Sequence, residues 1–131
     1  MRILVAEDDM VIRLLLKRFF GVYGDVVTAA NGVEAMELLS SSVFDHEPFD
    51  LVCLDIIMPG FDGQEVLEKY RNLEAEMGIG GFERSKIFMI TGLDGAGDIM
   101  RAFSGQADDY LIKPFDKEQL ENKLREHELI S

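Results

Sequence analysis

The chain has 131 residues, 47% of them hydrophobic, with 25 acidic residues against 13 basic ones and a net charge of -12. That is enough apolar material for one folded domain and too much for a disordered segment, and the negative balance works against direct binding to nucleic acid or to an anionic membrane. A single cysteine, Cys53, leaves no internal disulfide and fits a reducing compartment, and the apolar stretch Ile3–Ala6 is too short for a secretory signal or a membrane span, so a cytoplasmic chain is expected.

Taken in chain order, apolar runs alternate with helical patterns. Ile3–Ala6 reads as a strand and stops at Glu7-Asp8-Asp9. Met10–Phe20 carries Leu14, Leu15, Leu16 and Phe19 and is closed by Gly21 and Gly24. Val26-Val27 marks a second strand, and Asn31-Gly32 a turn. Val33, Ala35, Met36, Leu38 and Leu39 have helical spacing, with Ser40-Ser41-Ser42 predicted to end that helix. Leu51–Leu54 is a third strand, stopping at Asp55. Gln64–Met77 places Val66, Leu67, Tyr70, Leu73 and Met77 on one face before Gly78, Gly80 and Gly81. Ile87–Ile90 ends at Thr91, Ala96–Phe103 gives a short helix, and Tyr110–Ile112 ends at Lys113. Asp116–His127 is the last helix, with Leu120 and Leu124 inward. Glu118, Glu121, Glu126 and Glu128 read as solvated surface. The connections 40–49 and 78–86 look long, and neither carries an evident site.

Five near-continuous apolar strands alternating with five helices predict a parallel sheet covered on both faces. In such sheets ligands bind beyond the carboxyl ends of the strands. The polar residues that stop four of the runs would then share one rim.

At that rim, Asp8, Asp9 and Asp55 are hard oxygen donors, and carboxylates with an open side suit Mg2+, which keeps several waters and shares its shell with phosphate. Close carboxylates without a cation repel one another, which raises a pKa or recruits a counter-charge. An aspartate can also act as a nucleophile toward phosphorus, and phosphoryl transfer needs positioning and charge neutralisation above all. Lys113 offers an ammonium, Thr91 a hydroxyl, and Gly92 room for a backbone N–H. Lys113 precedes Pro114, which favours an extended backbone and admits a cis bond. Each residue also has a plainer role. Asp9 can N-cap the first helix, Asp55 can form a turn before Pro59-Gly60, Asp62 suits a turn or N-cap, Thr91 suits a strand, and Lys113 suits any surface. Their joint placement at strand ends favours the chemical reading.

These residues resemble the response-regulator receiver domain of two-component signalling. The resemblance rests on Ile3–Asp9, Ala30–Ala35, Asp50–Gly60, Asp62-Gly63, Thr91-Gly92 and Ala107–Phe115, and so spans nearly the whole chain. It implies a flavodoxin-like (βα)5 sandwich with strand order 2-1-3-4-5 and helices on both faces, for which a member of this family is a standard example. Residues 1–131 are expected to be a single receiver domain, and with one helix after Phe115 no output domain is expected in this chain, which is then either a stand-alone receiver or a fragment of a longer regulator. The resemblance further implies that Asp55 is the phosphoacceptor, that Asp8, Asp9, Asp55 and the Ile57 carbonyl hold Mg2+, and that Lys113 contacts the phosphate. Thr91 would be the switch hydroxyl and Tyr110 the switch aromatic, although an aromatic near a strand end is also ordinary packing. Side chains of Ile57 and Leu93 would influence the lifetime of the aspartyl phosphate.

The expected partners are a sensor histidine kinase or phosphotransfer protein. A downstream protein target would meet the face of the fourth helix, fifth strand and fifth helix, with the chain a monomer or a phosphorylation-dependent homodimer. The protein would be a phosphoacceptor switch with slow self-dephosphorylation rather than an enzyme with a separate substrate. Three rivals compete. A phosphohydrolase with an aspartate nucleophile would need Glu7 as its second acid. A flavin carrier is disfavoured by acids in the first loop, which repel phosphate. A constitutive interaction module would leave phosphorylation vestigial.

Overall fold

The computed structural model describes residues 1–92 and 106–131. Strands β1 (Arg2–Ala6), β2 (Asp25–Ala29), β3 (Leu51–Asp55), β4 (Lys86–Thr91) and β5 (Asp109–Ile112) form one sheet of order β2-β1-β3-β4-β5. Every pairing is parallel. The described helices are α1 (Met10–Phe20), α2 (Gly32–Phe44), α3 (Gly63–Glu76) and a C-terminal helix, Lys117–Glu126, with a 3-10 turn at Gly81–Glu83. The expected flavodoxin-like α/β architecture is therefore present. The predicted helix at Ala96–Phe103, and Leu93, lie outside the described residues.

Strand alternation explains why both faces are covered. Leu4, Ala6, Val52, Leu54, Ile87 and Met89 point into a core shared with Ala35 and Leu39 of α2 and Val66, Leu67 and Tyr70 of α3. Ile3, Val5, Leu51, Cys53, Phe88 and Ile90 point the other way, against Leu16 and Phe20 of α1 and Leu120 and Leu124 of the C-terminal helix. The central strands β1, β3 and β4 are almost wholly buried, so their sequences read as unbroken apolar runs. Burial drives the Cys53 thiol far above its ordinary range, which fits a packed hydrophobe and not a reactive group.

Helix starts are set locally. Asp9 caps α1, Asn31 caps α2, and Asp62 with Glu65 and Asp116 with Gln119 form reciprocal capping boxes. One expected boundary is corrected: α2 does not stop at Ser40-Ser41-Ser42 but runs to Phe44. Ser42 Oγ donates to the Leu39 carbonyl at 2.6 Å, and both Ser42 and Val43 are buried, so packing overrides the weak helix preference of serine.

At the amino-terminal edge of the sheet, Arg71 of α3 ties the layers together. Its guanidinium donates to Glu74 (2.7 Å), to the Ser85 carbonyl (2.8 Å), to Asp108 (2.8 Å) and to the Gln106 carbonyl (3.1 Å). Four acceptors thus meet this buried charge, as burial of a guanidinium requires.

Candidate functional site

Because all five strands run the same way, their carboxyl ends meet on one rim. Glu7, Asp8 and Asp9 follow β1, Asp55 closes β3, Thr91 closes β4 and Lys113 follows β5. Register sharpens this placement: Ala6 lies opposite Leu54, Asp55 opposite Ile90, and Thr91 opposite Ile112.

The amine bridges the rim. Lys113 Nζ lies 2.8 Å from Glu7 Oε1 and 3.1 Å from Asp55 Oδ2. Its backbone N–H donates to the Thr91 carbonyl at 2.7 Å, and the Lys113–Pro114 bond is cis. Glu7 is fully buried and Asp55 is 5% exposed. Burial, reinforced by a hydrogen bond with Asp55 and its negative charge, raises the Glu7 pKa despite the ammonium beside it. Burial alone would lower the Lys113 pKa, but the two carboxylates outweigh it and hold it above the ordinary lysine value.

Glu7, Asp8 and Asp55 each bring a carboxylate oxygen within 4.8 Å of the others. This group differs from the acids expected from sequence in holding Glu7 and not Asp9. Asp9 Oδ1 accepts from the Val11 and Ile12 N–H groups at 2.9 and 3.2 Å and so caps α1. The sequence named Glu7 only as a second acid for a hydrolase. Arg13 was missed altogether: its Nη1 donates to the Glu7 carbonyl at 2.8 Å and the Asp8 carbonyl at 3.4 Å, fixing the acidic loop. The one sequence signal for it is its position one helical turn beyond the Asp9 cap.

The loop after β3 closes the site from the other side. Ile57 N–H donates to Asp55 Oδ1 at 3.3 Å, while the Ile57 side chain is 77% exposed at the mouth. A Cβ on Gly63 would run into the Asp55 carbonyl, so α3 begins against the backbone of β3 only because residue 63 is glycine. Thr91 is buried, with Oγ1 donating to the Gly92 carbonyl at 3.4 Å. Tyr110 is half-buried in β5 and packs against the α2/α3 core. The donor set is all oxygen, with exposed Asp8 beside buried Glu7 and Asp55, which fits a hard divalent cation better than a soft one.

An open parallel α/β sheet with an acid cluster and a lysine at the carboxyl ends of its strands defines the class of protein. The family described as "Response regulator receiver domain" matches residues 3–125, and the chain belongs to that family, the receiver of two-component response regulators. Among curated proteins it is 35% identical over 125 residues to the transcriptional regulatory protein AruR of Pseudomonas aeruginosa, covering 95% of this chain and 48% of that one. It is also 35% identical to the probable transcriptional regulator ycf27 of Porphyridium aerugineum, covering 95% and 46%. The chain thus spans about half the length of the curated relatives it matches. Similar solved structures include a two-component response regulator from Clostridium difficile (28% identity, TM-score 0.78, covering 95% of this chain and 93% of that one). Another is a CheY-like receiver domain protein from Methanospirillum hungatei JF-1 (28% identity, TM-score 0.77, covering 96% and 91%). Among the described residues, no helix is long and apolar enough to cross a membrane.

Proposed function

We propose that this chain is a phosphorylation-driven switch: Asp55 takes a phosphoryl group from a phosphohistidine on a sensor kinase or phosphotransfer protein, or from a small phosphodonor. The observation that carries this reading is the Lys113 ammonium shared between Glu7 and Asp55, contributed from three separate strand ends. Asp55 Oδ attacks phosphorus in line. As that O–P bond forms, the P–N bond to the donor imidazole breaks and its electron pair leaves with the nitrogen. Lys113, already at 3.1 Å, offsets the charge arriving on Asp55. Asp8 and Asp55, with the Ile57 carbonyl and with Glu7 behind them, are the groups to hold Mg2+, which when bound supplies positive charge against the phosphoryl oxygens. Asp9 is left out of that set because it caps α1.

The Thr91 hydroxyl then turns from the Gly92 carbonyl to a phosphoryl oxygen, and Tyr110 repacks. The face that includes β5 and the C-terminal helix changes shape for a downstream protein or for a second copy of the chain. Water attacking the acyl phosphate returns the carboxylate and inorganic phosphate, so the chain dephosphorylates itself slowly and turns over no separate substrate. The apolar side chains Met10, Val11, Leu14 and Leu15 lie exposed on α1 beside the acidic loop, a surface suited to a protein donor in the cytoplasm.

The test is intact-mass analysis after incubation with acetyl phosphate and Mg2+. Wild type should gain one acid-labile phosphoryl group and Asp55→Asn none; labelling retained in the variant overturns the assignment. One observation favours a hydrolase instead, namely a second buried acid, Glu7, with a raised pKa beside the nucleophile. Sustained turnover of a phosphomonoester, in place of a single labelling event, would select it.

A further inference from the structure

Resting on Tyr110 as the moving aromatic, we propose that Lys123 is a positioning residue that latches the Tyr110 ring in the place it occupies in the unphosphorylated chain. β5 is the edge strand of the sheet. Its alternation sends Leu111 toward the C-terminal helix and Tyr110 toward the opposite core. Among the described residues no strand pairs with the outer side of β5, so a long side chain from the C-terminal helix can reach around it. Lys123 does so: its Nζ lies 5.4 Å from the centroid of the Tyr110 ring, within the range where an ammonium is attracted to an aromatic face.

The ammonium is itself held in place. Lys123 Nζ is 2.8 Å from Asp109 Oδ1, and the same oxygen accepts the Tyr110 backbone N–H at 2.8 Å. Asp109 Oδ2 is 2.8 Å from His127 Nε2, and His127 rests on the Phe88 ring at 4.9 Å. Lys123 and Asp109 are 27% and 13% exposed, so the pair is only partly screened. Tyr110 and Lys123 also line one hollow of about 290 Å³ with Phe115 and Asn122. A ring pinned by a cation fixed to the preceding residue of its own strand cannot leave without losing that contact.

The test uses the full chain labelled with 3-fluorotyrosine. Its three tyrosines are Tyr23, Tyr70 and Tyr110, and Tyr110→Phe assigns the signal. Fluorine spectra are compared for wild type, Lys123→Met and Lys123→Arg, with and without acetyl phosphate and Mg2+. In unphosphorylated Lys123→Met, the population of the ring signal that phosphorylation produces should rise about two- to five-fold, the equilibrium factor of a partly screened cation–ring contact. Lys123→Arg, which keeps a cation, should stay near wild type. A phosphorylation-sensitive Tyr110 signal whose resting population is unaltered in Lys123→Met overturns the latch and leaves the switch intact. A Tyr110 signal that ignores phosphate incorporation on Asp55 overturns both.

Discussion

Lys113→Met is the sharpest perturbation of the site, because it removes one charge and nearly preserves the stem. The ammonium stands 2.8 Å from a fully buried Glu7 carboxylate and 3.1 Å from Asp55, itself 5% exposed. Breaking a buried ion pair by deleting one partner costs about 3–5 kcal/mol. Lys113 is 28% exposed, so water partly replaces it, and ~2–3 kcal/mol at pH 8 is the expected loss. A domain stable by about 5–15 kcal/mol survives that.

The pH dependence identifies the cause. The folded-state pKa of Glu7 is raised by burial and by Asp55, and Lys113 is the group that restrains the rise. A carboxyl with a raised folded-state pKa contributes stability below its unfolded pKa, and that contribution is lost as pH rises through the folded value. Without Lys113 the folded value climbs further and the loss extends to higher pH. The gap between variant and wild type should therefore be widest at alkaline pH, where Glu7 is ionised, and shrink as falling pH lets Glu7 take up a proton. Urea denaturation across that range measures it. A gap below about 0.5 kcal/mol at pH 8, the scale of an ordinary surface substitution, would refute the reasoning. So would a gap that does not change with pH.

Other outcomes separate the roles of neighbouring residues. Asp9→Ala should lose about 1 kcal/mol of stability through its cap and keep Mg2+-dependent labelling of Asp55, whereas Asp8→Ala should keep its stability and lose the labelling. Intact mass together with thermal melts decides between them. Burial works against the Asp109 carboxylate, but Lys123, His127 and the Tyr110 N–H together hold its pKa below the ordinary value. Its stabilisation is therefore present above the unfolded Asp value of 3.8 and lost as pH falls through the lower folded value, so wild type and Asp109→Asn should converge in strong acid and diverge near pH 5. Convergence at neutral pH instead would contradict that sign. Glu128, just past the C-terminal helix, has φ 59, a left-handed conformation that suits glycine. Glu128→Gly should raise stability by about 0.5–1 kcal/mol in the same denaturation assay, since glycine removes the left-handed penalty.

The sequence by itself determined the layers and the rim. Runs such as Leu51–Leu54 and Ile87–Ile90 are apolar at every position because both sheet faces are covered. A residue that stops such a run is at a strand end whatever the register, so Asp55, Thr91 and Lys113 were legible without coordinates. Strand order came from family resemblance, since periodicity carries no information about which strands are neighbours. Only the tertiary structure distinguishes the surroundings of Glu7, Asp8 and Asp9. Three consecutive acids look equivalent in a string, but the turn into α1 sends Asp9 to the backbone N–H groups of the helix, while Glu7 remains buried against Lys113, 106 positions away in the chain. The continuation of α2 through three serines, the Arg71 network and the reach of Lys123 around the edge strand share that origin. Each depends on a partner distant in sequence, and local propensity cannot see a contact that exists only after the chain has packed.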